Sequence, residues 1–225
     1  MTGGIRPGER WGTEASGPSD FDVAGSDPAL AAVVGRGLAD PLIRFNPGRG
    51  SDLARAVGLV AGAAPAGMAL PLDAFDLMVD GSPARRVAVN SIVVGVAPDR
   101  LRPWHRPARL SVEIDGAPVE AGAATTLVVM NGQYLRGLDV SPRGHPGDGV
   151  AEAQLYALPP GARRAMRSRL PGGAHLPHPA ITIRRAHQIT LRAPQPVPLE
   201  IDGAAAGRVT GLTVTLHPSA YRLLV

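Results

Sequence analysis

The sequence predicts a mainly β protein, an antiparallel β-sandwich with a small α/β segment ahead of it. Three observations lead there. From Leu70 onward, short apolar or alternating runs are separated by Asp-Gly and Gly- or Pro-containing turns, the punctuation of paired strands. Apolar residues make up 44% of the 225, enough to bury a core in one large β domain or two small ones. Helical periodicity is confined to short stretches near the front and around Met166.

Residues 1–26 are rich in Gly, Ser, Pro and Asp without periodicity and read as a mobile leader. Asp27 is an N-cap candidate and Pro28 suits a first helical position, opening a short helix whose Leu30, Val33, Val34 and Leu38 recur at three-to-four spacing. Leu42-Ile43-Arg44-Phe45 reads as a strand and Asn46-Pro47-Gly48 as a turn. Ser51 then caps a helix over 52–57 that Gly58 ends.

The strands follow. The run from Leu72 to Val79 alternates into Asp80-Gly81, and Arg85 to Gly95 returns as its hairpin partner. Leu110 to Ile114, Asp115-Gly116 and Ala117 to Ala121 repeat the device. Thr125 to Met130 is almost continuously apolar and is expected at the centre, buried on both faces. After the Asp148-Gly149 turn comes Ala151 to Leu158. Pro159-Pro160 starts a basic helix, Gly161 to Leu170, carrying Arg163, Arg164, Arg167 and Arg169. The last strands are expected at 180–184, 187–193, 197–201 and 209–217.

Composition limits the function. All 23 basic residues are arginine, which fits codon preference toward Ala, Gly, Pro and Arg; the net charge is only +4. Scattered arginines and 4% aromatic residues do not suit nucleic acid, which needs basic stripes and stacking platforms. Contact between the basic helix and anionic lipid headgroups is the sharper reading of its charge, and a solvated face the plainer one. With no cysteine, disulfides, thiolate metal sites and a cysteine nucleophile are excluded. No Gly-x-Ser-x-Gly segment supports serine hydrolysis, and His175 and His178 lack the partners of a zinc site. There is no signal-like start, and the longest apolar run, Val57 to Leu70, is interrupted by Pro65 and is shorter than a membrane span, so a cytoplasmic protein is expected.

Two places carry possible chemistry. A strand, a glycine turn and a helix N-terminus at Gly48, Gly50, Ser51 and Asp52 are the parts of a phosphate cradle, and equally of an ordinary turn. The Asp148-Gly149 turn could offer oxygens to a hard cation, or simply turn the chain.

The order of the motifs adds to this reading. Asn131-Gly132 with Tyr134, then Pro142, then Asp148-Gly149, then Gly172-Gly173 with His175, then Ile201-Asp202-Gly203 and a last strand ending Leu216-His217-Pro218 resembles the diacylglycerol kinase and sphingosine kinase superfamily of lipid kinases. Gly48-Arg49-Gly50-Ser51-Asp52-Leu53-Ala54-Arg55 is similar to that family's Gly-Thr-Gly-Asn-Asp-Phe-Ala-Arg, with Arg49 for threonine and Ser51 for asparagine. The likeness runs from about Asn46 to Val225.

The resemblance implies a β-sandwich like the family's C-terminal domain over 70–225 and a remnant of its nucleotide domain over 27–69. It implies nucleotide contact at Gly48, Gly50, Ser51 and Asp52, and a structural magnesium ion held by the Asp148 carboxylate and the carbonyls of His145 and Val150. The family's catalytic glutamate follows its late Asp-Gly pair; here that position is Ala204, which cannot take a proton, and Asp202 is the only nearby candidate. The family's Gly-Gly-Asp-Gly-Thr phosphate loop has no evident counterpart, so a degenerate member, a pseudoenzyme binding a lipid or other amphipathic molecule or a partner, is expected. The alternative is an active lipid kinase using ATP and magnesium on a diacylglycerol-like hydroxyl, as a homodimer or with a nucleotide domain supplied by a separate chain.

Overall fold

In chain order the strands and helices of the computed structural model are β1 (Thr13–Glu14), β2 (Phe21–Gly25), α1 (Asp27–Val34), β3 (Leu42–Pro47), α2 (Asp52–Val57), β4 (Met68–Val79), β5 (Arg86–Ala88), β6 (Ser91–Gly95), β7 (Ser111–Ile114) and β8 (Ala117–Val119). They continue as β9 (Thr126–Met130), β10 (Tyr134–Leu135), β11 (Leu138–Asp139), β12 (Ala151–Tyr156), α3 (Arg163–Arg169), β13 (Ile181–Ala186), β14 (Gln188–Ile201) and β15 (Ala204–Leu224). The structure describes residues 11–15, 17–37, 39–63, 67–120 and 123–225.

The sandwich is built by one bent strand. Residues Ile189 to Arg192 of β14 pair with β7, whereas Leu199 to Ile201 pair with β6. Between these halves the register with β15 shifts, from Arg192 to Val197, and Pro194 and Pro196 sit in that gap. Proline has no N–H to give a ladder, so the prolines fall where the ladder is already broken and the strand changes layer. The second layer continues from β6 through β9 and β12 to β13, antiparallel throughout. Phe75, Ile92, Leu127, Leu155, Leu191 and Leu212 fill the space between the layers, each stabilising by about 1.5–3 kcal/mol through burial. The outer face of β9 and β12 is covered in turn by Met166 and Leu170 from α3 and its C-terminal turn. All five residues of β9 are buried, as its unbroken apolar run predicts.

The α/β part is a β2-α1-β3 unit with parallel strands, followed by α2. Its sheet does not stop at a linker. The end of β15 inserts beside β3 in parallel, Arg222 opposite Leu42, and pairs antiparallel with β4 on its other side. Leu30, Ile43, Leu53, Leu72, Tyr221 and Leu223 form the core there, so residues from both ends of the chain share one apolar cluster.

Several expectations are corrected. The leader expected over 1–26 contains β1 and β2 where it is described; β2 alternates half-buried and exposed, but Asp22 and Gly25 in a five-residue strand hide the pattern from sequence. The helix expected to reach Leu38 ends at Val34, because Gly35 and Gly37 follow; Leu38 lies outside the described residues. The single strand expected from Arg85 to Gly95 is two, β5 and β6. The backbone between them turns around Asp202, whose carboxylate collects the N–H groups of Val89, Asn90 and Ser91. The four final strands are three, because β14 runs through its prolines. The Ser51 cap and Gly58 end of α2 stand as expected, Ser51 Oγ accepting from the Ala54 N–H and Gly58 lying at φ 76°.

Candidate functional site

Two strand-to-helix loops lie side by side at the carboxyl ends of parallel strands β2 and β3, where open α/β sheets bind ligands. The first is Gly25-Ser26-Asp27-Pro28-Ala29 and the second is Gly48 to Asp52. They touch: the Gly48 N–H donates to the Gly25 carbonyl at 2.6 Å, and a Cβ on Gly48 would stand 3.2 Å from that oxygen. A side chain at 48 would crowd that approach.

The first loop sits between a parallel strand and a helix, immediately before the Gly48 loop, with Gly25 at φ 123° and Pro28 in the first turn of α1.

Asp27, which sequence reasoning treated only as a cap, organises both loops. The residue is 5% exposed. Oδ1 accepts from the Ser51 hydroxyl, and Oδ2 accepts from the N–H groups of Asp52 at 3.0 Å and Leu53 at 3.1 Å. Burial raises its pKa, while the bonds from Ser51 and Leu53 pull the other way. These are the free donors at the start of α2 that an anion would use, so an internal carboxylate stands where a nucleotide phosphate is expected.

The other residues of that loop face inward too. Asp52 accepts from the N–H groups of Arg136 at 2.5 Å and Gly137 at 2.7 Å. Arg55 donates to the Gly137 carbonyl and lies 4.4 Å over the Tyr134 ring. The segment similar to the lipid-kinase motif therefore clamps α2 to the β10–β11 hairpin. The guanidinium of Arg136 is held by Asp99 and Glu200, each at 2.5 Å. Gly50, at φ 88°, is at the exposed tip of the loop. Ser51 and Asp52 thus come together with Asp27, whose carboxylate already holds the Ser51 hydroxyl and the N–H groups of Asp52 and Leu53.

The Asp148 turn closes on itself: the Asp148 N–H donates to the His145 carbonyl at 3.3 Å and its Oδ1 accepts from the Val150 N–H at 3.1 Å. Burial raises the Asp148 pKa, with His145 and Arg185 opposing. Asp73 lies beside it, accepting from the N–H groups of Gly149 and Ser219 at 2.8 Å each; burial pushes its pKa up to about 6. Among the described residues no three His, Cys, Asp or Glu side chains gather as a metal site. The oxygens of His145, Asp148 and Val150 nevertheless fit a hard cation in kind, one carboxylate with two carbonyls.

Asp202 has no reach into solvent chemistry. Its Oδ1 accepts from Asn90 and Ser91 and its Oδ2 from Val89, at 2.8–3.0 Å. Burial outweighs those bonds and pushes its pKa up to about 7. The Asn131 side chain, part of the Asn-Gly motif, likewise serves the frame: its Nδ2 donates to the carbonyls of Asp73 and Val89.

Ala204, by contrast, lines a cleft of about 410 Å³ between α1 and the β14–β15 turn. Pro28, Ala31, Ala205 and Ala206 share its wall, with Arg85 and Arg86 as its charged residues; none of its residues is Asp, Glu, His, Ser or Thr. Arg86 donates to the Ala206 carbonyl at 2.7 Å, and Arg85 pairs with Asp76 at 2.6 Å.

These features define a β-sandwich protein with an α/β edge. The family model described as the YegS C-terminal NAD kinase beta sandwich-like domain matches residues 99–225, more than half of the chain, and the protein belongs to that family. In solved structures the fold is shared with a diacylglycerol kinase from Bacillus anthracis str. Sterne, at TM-score 0.71 and 17% identity over 91% of this chain and 76% of that one. Two further chains from that organism give TM-scores of 0.69 and 0.70 at 14% and 16% identity, covering 91% of this chain and 78% and 76% of theirs. Among curated proteins none matches. No helix among the described residues is long and apolar enough to cross a membrane.

Proposed function

We propose that this protein is a degenerate diacylglycerol-kinase-like member that binds an amphipathic ligand, a lipid or a lipid-like partner segment, without transferring phosphate. The observation that carries the reading is the cleft at Ala204. Its walls are alanine, proline, valine and isoleucine, and its charged groups are two arginines, a surface suited to an apolar body with an anionic end. Phosphoryl transfer rests on in-line positioning of acceptor, phosphates and metal, with a base or orienting group at the acceptor. The cleft offers no such group, and Asp27 takes the donors at the start of α2. Magnesium, if bound at His145, Asp148 and Val150, would stiffen the turn between β11 and β12 rather than meet a nucleotide.

The test is a melting experiment. A ligand at a hundred times its dissociation constant stabilises by about 2.7 kcal/mol. A short-chain, water-soluble phosphatidic acid is expected to raise Tm, and Arg86→Gln to weaken that rise. Millimolar ATP with magnesium is expected to do nothing in the wild type or in Ala204→Glu. A Tm rise with ATP, or label transfer to a diacylglycerol, overturns the reading. The active-kinase alternative has one observation of its own: among the described residues β2 pairs only with β3, an edge on which strands of a second chain could build.

A further inference from the structure

Trp104 is 75% exposed, in a chain with only two tryptophans. It stands in Leu101-Arg102-Pro103-Trp104-His105-Arg106-Pro107-Ala108-Arg109, where Arg102, Arg106 and Arg109 are exposed as well. An apolar ring this size turned to water costs solvation that a surface residue need not incur, so the way it is held matters.

The loop is held firmly from beneath. The buried Arg163 of α3 donates through Nη1 to the carbonyls of Arg102 at 2.8 Å, Pro103 at 3.2 Å and His105 at 2.7 Å, and through Nε to Leu158 at 3.0 Å. Arg167 donates to the Leu101 carbonyl. His105 Nδ1 accepts from the Arg102 N–H at 2.9 Å. Two of the helix arginines thus serve as a scaffold for the backbone on either side of Trp104.

Along the loop and α3 the charge has one sign. The sequence has no Asp or Glu from Leu101 to Val112, nor between Glu152 and Glu200, the span that contains α3. Arg164 is exposed on α3, and burial together with the charges of Arg102 and Arg164 lowers the Arg167 pKa, which places these guanidiniums within one another's field. Beside the loop opens a recess of about 460 Å³ with Val96, Pro107 and Val197 on its walls and Arg106 and Arg109 at its edge.

We propose that the Leu101–Arg109 loop and the adjoining face of α3 dock on an anionic lipid bilayer, Trp104 seating at the headgroup level and Arg102, Arg106, Arg109 and Arg164 meeting lipid phosphates. An amphipathic indole is at home at that depth. Anionic headgroups contribute about 1 kcal/mol for each arginine near the surface. Nucleic acid suits the face less, because a single tryptophan offers one stacking platform. None of these residues lines the cleft at Ala204, so the docking holds whatever that cleft contains.

The test is cosedimentation of the full chain with vesicles of phosphatidylcholine alone and of equimolar phosphatidylcholine and phosphatidylglycerol. Binding is expected only to the anionic vesicles, with loss in molar salt, where screening falls to about 3 Å. Arg102→Gln and Arg106→Gln each weaken partitioning about five-fold, the equivalent of about 1 kcal/mol. Trp104→Ala weakens it several-fold with an unchanged melting curve, and Trp104→Phe removes the blue shift of fluorescence on vesicles while the half-buried Trp11 still emits. Equal binding to neutral vesicles overturns the proposal. So does undiminished binding by Trp104→Ala, or displacement of the vesicles by a single-stranded oligonucleotide at matching charge concentration.

Discussion

The paired loops at Asp27 and the loop at Trp104 are opposite solutions to the same material. Both are short connections with arginine, proline and a nearby helix. At Asp27 nearly every polar group is turned inward: the carboxylate meets Ser51, Asp52 and Leu53, and Asp52 meets Arg136 and Gly137. At Trp104 the inward bonds come from below, through Arg163, and Arg102, Trp104, Arg106 and Arg109 face water. The difference teaches that similar residue types close a loop on itself or leave its side chains exposed, according to where the buried partners sit.

That contrast can be broken by substitution, starting with the largest effect. Asp27→Ala strands a hydroxyl and two buried N–H groups and should cost about 3 kcal/mol, read by urea denaturation. A cost under about 0.5 kcal/mol would mean the loops are not closed by this carboxylate. Arg163→Ala should cost about 2 kcal/mol, since four carbonyl contacts go with it, and should loosen the Trp104 loop to protease before the rest.

Asp202 gives a pH dependence of definite sign. Its pKa lies at about 7 in the fold against 3.8 for a free side chain, so between those values the folded chain holds more protons than the unfolded one. Stability from this group therefore falls as pH rises from about 4 to about 7, and Asp202→Asn should flatten the profile measured by thermal melts. A profile equally steep in the variant would place the titration elsewhere. The smallest effect is at the docking face: Trp104→Ala and Arg164→Gln should each change stability by less than about 0.5 kcal/mol.

Legibility followed the range of the interactions. The hairpins at Asp80-Gly81 and Asp115-Gly116, the central strand β9 and the capped helix α2 were readable because turn chemistry and capping act over a few residues. β2 was missed because its burial depends on β3, and Pro194 to Pro198 looked like a break because their partner exchange is set by two other strands. Asp27 had a signal in sequence, a glycine and an aspartate before a helix, but its partners are 24 to 26 residues away.

The sequence by itself determined a strand-rich sandwich and the order of its turns, since a period of two and Asp-Gly pairs specify pairing locally. It also determined that position 204 carries no carboxylate. Only the tertiary structure decided that β15 returns to join β3, that Asp27 occupies the start of α2, and that Arg163 holds the backbone on either side of Trp104. Those are contacts between residues far apart in the chain, chosen by which apolar surfaces close on one another rather than by any local preference.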